Sequence, residues 1–151
     1  MGIENDIHQS KFSSARQKAM INILYSYGWV LERIKESLAK EDITHQQFNI
    51  LRILRGSHPK PLSTLQIRER MLDKMSDTSR IVDRLITKGL VKKGTCKSDR
   101  RLVDVMITDK GKKMLERLDE RQDELDNIMG NLTEKEAATL SELLDKIRGS
   151  E

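Results

Sequence analysis

The segment TSRIVDRLITKGLVKKGTCKSDRRLVDVMITDKG, residues 78–111, changes its hydrophobic period midway and thereby decides the fold. Its first half places apolar residues at helical spacing, which predicts a helix that begins after Leu72 and Asp73 and runs to Lys88. Gly89 is a typical helix stop, and the residues after it alternate between apolar and polar as strands do. The segment therefore predicts a helix followed by a β-hairpin. The helical positions are Ile81, Val82, Leu85 and Ile86, and the strand positions are Leu90, Val91, Val103, Val105 and Ile107.

The residues before this segment predict two further helices. THQQ (44–47) and STLQ (63–66) are capping boxes, in which a hydroxyl and an amide side chain close the first turn of a helix. SHPKP (57–61) predicts a turn between the two helices, because proline does not continue a helix. A short helix, a turn, a second helix and a hairpin form a winged helix-turn-helix, which we expect over about residues 44–108.

Amphipathic helices flank this predicted unit, over about residues 13–40 and 109–148. The second flank is predicted as a helix over about 109–128 and, after a capping box at 133–136, a last helix. Both carry more apolar residues than one small core needs, so we expect them to join two subunits of a homodimer within a single domain spanning 1–151. The surplus positions are Met114, Leu115, Leu118, Leu125, Ile128, Met129, Leu132, Leu140, Leu143, Leu144 and Ile147.

The composition excludes several classes of protein. No apolar run approaches the ~18 residues of a membrane span, and the start of the chain lacks the pattern of a signal peptide. The single cysteine, Cys96, favours a reducing cytoplasm. The three histidines, His8, His45 and His58, share no metal-ligand spacing, so we expect no metal and no cofactor. Without a Gly-rich phosphate loop or a nucleophile paired with a base, we expect no enzyme.

The charge is distributed unevenly along the chain. Residues 60–113 hold 15 Lys and Arg against 7 Asp and Glu, whereas residues 114–151 hold 5 against 11. A basic middle carried by less basic flanks indicates a module that faces a polyanion, although an unevenly charged solvated surface would give the same count.

The helix over about 76–88 fits the major groove of duplex DNA, where base edges can be recognised. Arg80 is the best candidate for a base contact because its planar guanidinium can bind two acceptors of guanine. The residues near the helix start suit phosphate or base contacts. Asp77 and Asp83 either hold the arginines in place or touch DNA. The candidate contacts of this helix are Lys74, Ser76, Asp77, Ser79, Arg80 and Arg84.

The hairpin concentrates positive charge on a narrow projecting loop. Such a loop can enter the minor groove, where narrow A·T stretches attract arginine. Asp99 is then expected to orient an arginine, because a free carboxylate would repel the DNA backbone. The five cations are Lys92, Lys93, Lys97, Arg100 and Arg101.

Three stretches carry a family resemblance. They are THQQFNILRILR (44–55), SRIVDRLITKGLVKKG (79–94) and SDRRLVDVMITDKG (98–111). Together they resemble the MarR-type winged-helix transcription regulators, and the similarity is continuous over about residues 44–115. The Asp99-x-Arg101 tip, followed by a hydrophobic strand and Ile-Thr-Asp-Lys-Gly, matches the wing motif of that family.

The resemblance implies a homodimer that binds a pseudo-palindromic operator in double-stranded DNA. Such proteins are usually repressors that small molecules or oxidants release. The resemblance assigns Arg80 and its neighbours to the recognition helix, and Asp99 and Arg101 to the wing. The sequence departs from the family at Thr78, where the family usually places an aliphatic core residue.

Two aromatic residues of the first long helix, Tyr25 and Trp29, suggest two interpretations. They line a pocket for a small aromatic or other small-molecule effector, or they pack in the core or the dimer interface.

The alternative function is a winged helix that contacts protein or RNA without binding an operator. The basic wing disfavours a protein interface, because the centres of such interfaces are depleted in charge. Few exposed aromatic residues disfavour single-stranded RNA, whose recognition depends on base stacking.

Overall fold

The computed structural model describes residues 2–95 and 103–149. It confirms the predicted fold class, a mainly helical protein with a small antiparallel sheet. The elements, in chain order, are α1 (Ile3–Asp6), α2 (Ala15–Leu38), a 3-10 turn (Ala39–Glu41), α3 (His45–Ser57), β1 (Leu62–Ser63), α4 (Thr64–Arg70), α5 (Thr78–Thr87), β2 (Val91–Thr95), β3 (Val103–Ile107), α6 (Asp109–Asp119), α7 (Gln122–Asp126), a 3-10 turn (Asn127–Met129) and α8 (Glu134–Ile147).

The three predicted capping boxes are all formed. Thr44 Oγ1 accepts a hydrogen bond from the Gln47 amide at 3.1 Å, and the Gln47 side chain accepts one from the Thr44 amide. Ser63 and Gln66 make the same pair of bonds at the start of α4. The third box, at residues 133–136, opens α8. These helix starts were predictable because every partner lies within four residues.

The sheet has three strands in the order β1-β3-β2. Val91 pairs with Ile107 and Lys93 with Val105 across β2 and β3, which confirms the predicted hairpin. Leu62 pairs with Val105 on the other side of β3. The sequence did not predict β1, because two residues are too short to show an alternating pattern.

The core lies between α3, α4, α5, the sheet and α6. The glycine at position 111 lets α6 pack closely, since a Cβ atom there would collide with the carbonyl oxygen of Leu90. The assignment of Met114, Leu115 and Leu118 to the subunit interface is wrong, because all three are buried in the core of this chain. The buried apolar residues of the core are Leu38, Ile43, Ile50, Leu51, Leu54, Leu62, Ile67, Met71, Val82, Leu85, Leu90, Val91, Val105, Ile107, Met114, Leu115 and Leu118.

The helix predicted over about 109–128 is broken in two. α6 ends at Asp119 and α7 begins at Gln122, with Arg121 between them in a non-helical conformation. Glu41, in the 3-10 turn after α2, lies 2.9 Å from Arg117 Nη2 and 3.7 Å from Arg121 Nη2. This contact ties both sides of the break to a turn about 76 residues away along the chain, which no local pattern shows.

The recognition helix starts later than predicted, at Thr78. The residues before it form a turn in which the Met75 amide donates to Asp73 Oδ1 at 2.9 Å and the Ser76 amide to the Asp73 carbonyl at 3.2 Å. The Leu72 amide donates to Asn49 Oδ1 at 2.9 Å. Aspartate competes with helix formation in this way because its short side chain bonds nearby amides.

In the ranges that the structure describes, no helix is both long enough and apolar enough to cross a membrane.

Candidate nucleic-acid interface

Helix α5 separates its apolar and polar residues onto opposite faces. Thr78, Val82 and Leu85 are buried, and Ile81 and Ile86 pack against the core. The opposite face is exposed and carries Ser79, Arg80, Asp83, Arg84 and Thr87. The predicted contacts Ser79, Arg80 and Arg84 therefore lie together on one accessible face.

Asp77 is the N-cap of α5. Its Oδ1 accepts a hydrogen bond from the Arg80 amide at 3.2 Å. A carboxylate at this position also interacts favourably with the positive end of the helix dipole. One of the two predicted roles of Asp77 was to hold the arginine side chain in place. In the structure its carboxylate contacts the backbone of Arg80 and not the guanidinium.

Asp83 connects the recognition helix to the hairpin. Its Oδ1 lies 3.0 Å from Lys93 Nζ on β2. The predicted contact of Asp83 with the arginines of its own helix is replaced by this ion pair. Because the pair is roughly half exposed, its own stabilisation is small. Its main electrostatic effect is to neutralise the one acidic side chain on the exposed face of α5.

Lys74 and Ser76 were predicted to lie on the recognition helix. The structure places both of them in the turn before it. The Lys74 ammonium group donates to the Glu69 carbonyl oxygen. Ser76 is half-buried, and its Oγ atom finds no hydrogen-bond partner in residues 2–95 and 103–149. Lys74 remains exposed beside α5, whereas the Ser76 hydroxyl is turned away from solvent.

The tip of the hairpin carries four predicted contacts that lie outside the described residues. They are Lys97, Asp99, Arg100 and Arg101, and Cys96 lies there too. At the base of the hairpin, Lys92 and Lys93 are exposed on β2.

Sequence reasoning missed the role of Asp73. The hydrogen bond from the Met75 amide holds the pKa of the Asp73 carboxyl below its ordinary value, and it outweighs the opposing effect of burial. Asp73 also faces His45, whose pKa is lowered, first by burial and then by Lys35. In turns, an aspartate side chain often accepts a hydrogen bond from the backbone amide two residues later. This tendency is the only sequence signal that could have indicated the role of Asp73.

A cavity of about 400 Å³ lies between the flanking helices and the turn before α5. Its walls come from α2, α3, residues 71–73 and the segment 122–129. The lining is mostly apolar, with Val30, Leu31 and Ile34 from α2, and Arg52 adds a cation.

The aromatic residues predicted to line an effector pocket are not in this cavity. Tyr27, two positions from each of the predicted residues, lines it instead. Trp29 lines a separate, open groove, where the Arg33 guanidinium stacks 3.5 Å from the centre of the indole ring. Tyr25 is exposed and lines neither of these two spaces. Positions two residues apart on a helix face different directions, and the sequence alone did not indicate which aromatic side chain lines the cavity.

Within the described residues, no group of three or more His, Cys, Asp or Glu side chains is arranged to hold a metal ion.

Comparison with known proteins gives consistent matches. The sequence model of the MarR family matches residues 43–103. The uncharacterised helix-turn-helix-type transcriptional regulator YpoP of Bacillus subtilis strain 168 is 30% identical over 119 residues, which are 78% of this chain and 82% of that protein. A MarR transcription factor from Planctomyces limnophilus is 32% identical, with a TM-score of 0.68 over 89% of this chain and 98% of the other. A mutant MarR from Escherichia coli, in complex with operator DNA, is 26% identical with a TM-score of 0.75 over 97% of this chain and 99% of the other.

Proposed function

The chain belongs to the MarR family of DNA-binding transcription regulators, and we propose that it acts in the cytoplasm as a homodimeric repressor. In this proposal it binds a pseudo-palindromic operator in double-stranded DNA and is released by a small-molecule effector. Residues 44–108 form the DNA-binding unit, and the flanking helices join the two subunits.

The observation that carries the proposal is the exposed face of α5. Arg80 and Arg84 lie on it, the acidic Asp83 is paired with Lys93, and the opposite face is buried in the core. A helix held in this way presents its polar face as a rigid unit to the major groove. The MarR of Escherichia coli, which is similar in structure, was solved in complex with operator DNA, and this supports DNA binding here.

We assign the roles of individual residues as follows. Arg80 contacts a base edge in each half-site, because arginine binds the O6 and N7 atoms of guanine with two hydrogen bonds. Ser79, Arg84 and Lys74 bind phosphates beside it, and Asp77 fixes the helix start. At the wing, Lys97, Arg100 and Arg101 follow the minor groove while Asp99 orients an arginine.

Exposed apolar residues on the flanking helices support the homodimer. Leu24 is 66% exposed and Leu143 is 54% exposed, and several neighbours on both helices are similarly accessible. Exposed apolar residues repeated along one helix in this way are typical of a subunit interface. The exposed set on the two helices is Met20, Ile23, Leu24, Tyr27, Leu140, Leu143 and Ile147.

The 400 Å³ cavity supports release by an effector. It is large enough for a small aromatic molecule, and the charged side chains of Arg52, Asp73 and Asp126 in its lining can orient polar groups of that molecule. One of its walls is the turn 71–73, which leads directly into α5. An occupant that moves this turn would therefore change the position of the recognition helix.

The test is a titration of duplex DNA with wild type and Arg80→Ala. An operator is first selected from random duplexes, and a shuffled copy of it serves as the non-specific duplex. We expect Arg80→Ala to lose about 10-fold or more at the operator, because a bidentate base contact contributes ~1–3 kcal/mol per half-site. Binding to the shuffled duplex falls far less, since phosphate contacts supply that affinity.

Arg16→Ala, an exposed arginine in the first turn of α2, is the matched control and leaves the ratio of operator to shuffled affinity unchanged. An unchanged ratio for Arg80→Ala would exclude Arg80 as the base contact. Tighter binding to single-stranded RNA of matched length, or no enrichment of any duplex sequence, would contradict operator binding itself.

A further inference from the structure

The turn before α5 carries the two most exposed large apolar side chains of the described residues. Met75 is 93% exposed and Leu72 is 88% exposed. Single exposed apolar residues are common on protein surfaces, so exposure alone assigns no role. The position and the rigidity of Met75 distinguish it from an ordinary surface residue.

The backbone of Met75 is fixed by hydrogen bonds. Its amide donates to Asp73 Oδ1 at 2.9 Å, and the next amide, of Ser76, donates to the Asp73 carbonyl at 3.2 Å. Two residues later Asp77 caps α5. The backbone of Met75 is thus held at a defined point at the entrance of the recognition helix, so a contact made from there requires no further ordering of the backbone.

Exposed cations lie near Met75 in the chain, whereas the two carboxylates that flank it, of Asp73 and Asp77, accept hydrogen bonds from backbone amides. Lys74 is its exposed neighbour, and Arg80 and Arg84 follow on the exposed face of α5. A protein partner that covers an apolar residue usually surrounds it with uncharged residues. Duplex DNA instead combines a charged backbone with an apolar group in the major groove, the C5-methyl of thymine. The charge around Met75 therefore favours DNA as the occupant.

We propose that Met75 contacts the C5-methyl group of a thymine in the major groove of each operator half-site. The inference rests on the proposed function, and it adds an apolar specificity contact to the hydrogen bonds of Arg80. In a helix-turn-helix the N-terminal end of the second helix meets the base edges, and Met75 lies at that end. Its unbranched, polarisable side chain adapts to the shape of a methyl group.

Leu72 is excluded from this contact by its position. It lines the rim of the cavity between the flanking helices and α3, and its amide is bonded to Asn49 Oδ1. Leu72 therefore belongs to the opposite side of the same turn, and it offers a matched control with similar exposure.

The experiment removes the methyl group from the DNA and the thioether from the protein. In the selected operator, each symmetry-related pair of thymines is replaced by deoxyuridine, which deletes only the C5-methyl groups. Affinities are measured for wild type, Met75→Ala, Met75→Leu and Leu72→Ala. We expect wild type to lose about fourfold per half-site at one thymine pair, because a buried methyl group contributes about that factor.

At that thymine pair, Met75→Ala binds the thymine and deoxyuridine operators within twofold of each other. Met75→Leu keeps most of the discrimination, and Leu72→Ala keeps all of it. Melting temperatures of the variants match that of wild type, because both side chains are exposed.

Two results would overturn the inference while leaving operator binding intact. One is an equal loss for wild type and Met75→Ala at every thymine pair, and the other is an operator at which no thymine methyl affects wild-type binding. If selection enriches no duplex sequence, the proposed function fails and this inference fails with it.

Discussion

The winged-helix unit and its flanking helices contain similar apolar stripes but bury them differently. In the unit, to which α6 belongs by its packing against α3, Leu115 is fully buried. In the flanks, Leu24 of α2 is 66% exposed and Leu143 of α8 is 54% exposed. Helical spacing of apolar residues is the same in both regions, so periodicity shows which face of a helix is apolar and does not show what covers it.

This difference explains why three residues of one predicted stripe were assigned wrongly. Met114, Leu115 and Leu118 follow a helical pattern like that of Leu140, Leu143 and Ile147. The first three are buried because α6 follows β3 directly and packs against α3, whereas α8 begins beyond a second break in the helix. The apolar residues of α6 are covered within one chain. We expect a second copy of the chain to cover the exposed apolar residues of the flanking helices.

The largest effect on oligomeric state and operator affinity is expected from a charge placed among the exposed apolar residues of α2. Leu24→Asp leaves the fold of one chain intact, because the side chain is exposed there, but a buried unpaired carboxylate in a dimer is costly. We expect light scattering to give about 17.5 kDa instead of twice that mass. Operator affinity then falls by about 100-fold or more, because one half-site replaces two.

Leu65→Asp is the control for the oligomeric state, since Leu65 is also exposed but lies on α4. It leaves the mass at twice 17.5 kDa. A wild-type monomer at micromolar concentration, or a Leu24→Asp dimer, would contradict the idea that the flanks need a partner.

A smaller effect, on thermal stability, is expected inside the unit, where one buried hydroxyl group lacks a hydrogen-bond partner among the described residues. Thr78 is only 4% exposed, and its hydroxyl finds no hydrogen-bond partner in the described part of the chain. A buried polar group without a partner costs about 1–3 kcal/mol. Thr78→Val keeps the shape of the side chain and removes that cost, so we expect a Tm higher by about 2–4 °C.

The matched control is Thr87→Val on the same helix, where the hydroxyl is exposed and donates to the Asp83 carbonyl at 3.1 Å. That substitution leaves Tm unchanged or lowers it slightly, and operator affinity is unchanged for Thr78→Val. A lower Tm for Thr78→Val would show that the hydroxyl has a partner after all, such as a buried water molecule.

The features that the sequence predicted are those whose causes are local. The capping boxes, the hairpin and the exposed position of Arg80 each follow from residues within a few positions of one another. The later start of α5 depends on the Asp73 turn, which competes with a helix that periodicity alone would extend to residue 74. The pairing of Asp83 with Lys93 links a helix to a strand, and no pattern within either element specifies it.

The cavity could not be predicted for the same reason. Its walls come from four separate segments, and only their packing decides that Tyr27 lines the cavity while Tyr25 does not. Tyr25 and Tyr27 are two positions apart on α2, a difference of about 200° around the helix axis.

The joint between the two regions has its own ionic contact. Glu41 follows α2 and binds Arg117 of α6 and Arg121 at the break before α7. The hydrogen bond from Arg117 holds the pKa of the Glu41 carboxyl below its ordinary value of 4.5, and it outweighs the opposing effect of burial. The ionised carboxylate therefore favours the folded arrangement of the flank on the unit.

The smallest effect on Tm is expected from a substitution at this joint. The dependence of that effect on pH distinguishes an ionic contact from packing. Because the pKa of Glu41 is lower in the folded state, its stabilisation is present above the unfolded pKa of 4.5 and is lost as the pH falls through the folded value. At pH 7 we expect Glu41→Gln to lower Tm by about 2 °C, since a partly exposed ion pair contributes little. As the pH falls through the folded-state pKa of Glu41, the protonated wild-type side chain resembles glutamine, and the two melting temperatures converge. Glu116→Gln, which removes the same charge from an exposed position of α6, gives no such convergence. A Tm difference that stays constant from pH 7 to pH 3 would mean that Glu41 acts through packing, and the two regions would then be joined without this ionic contact.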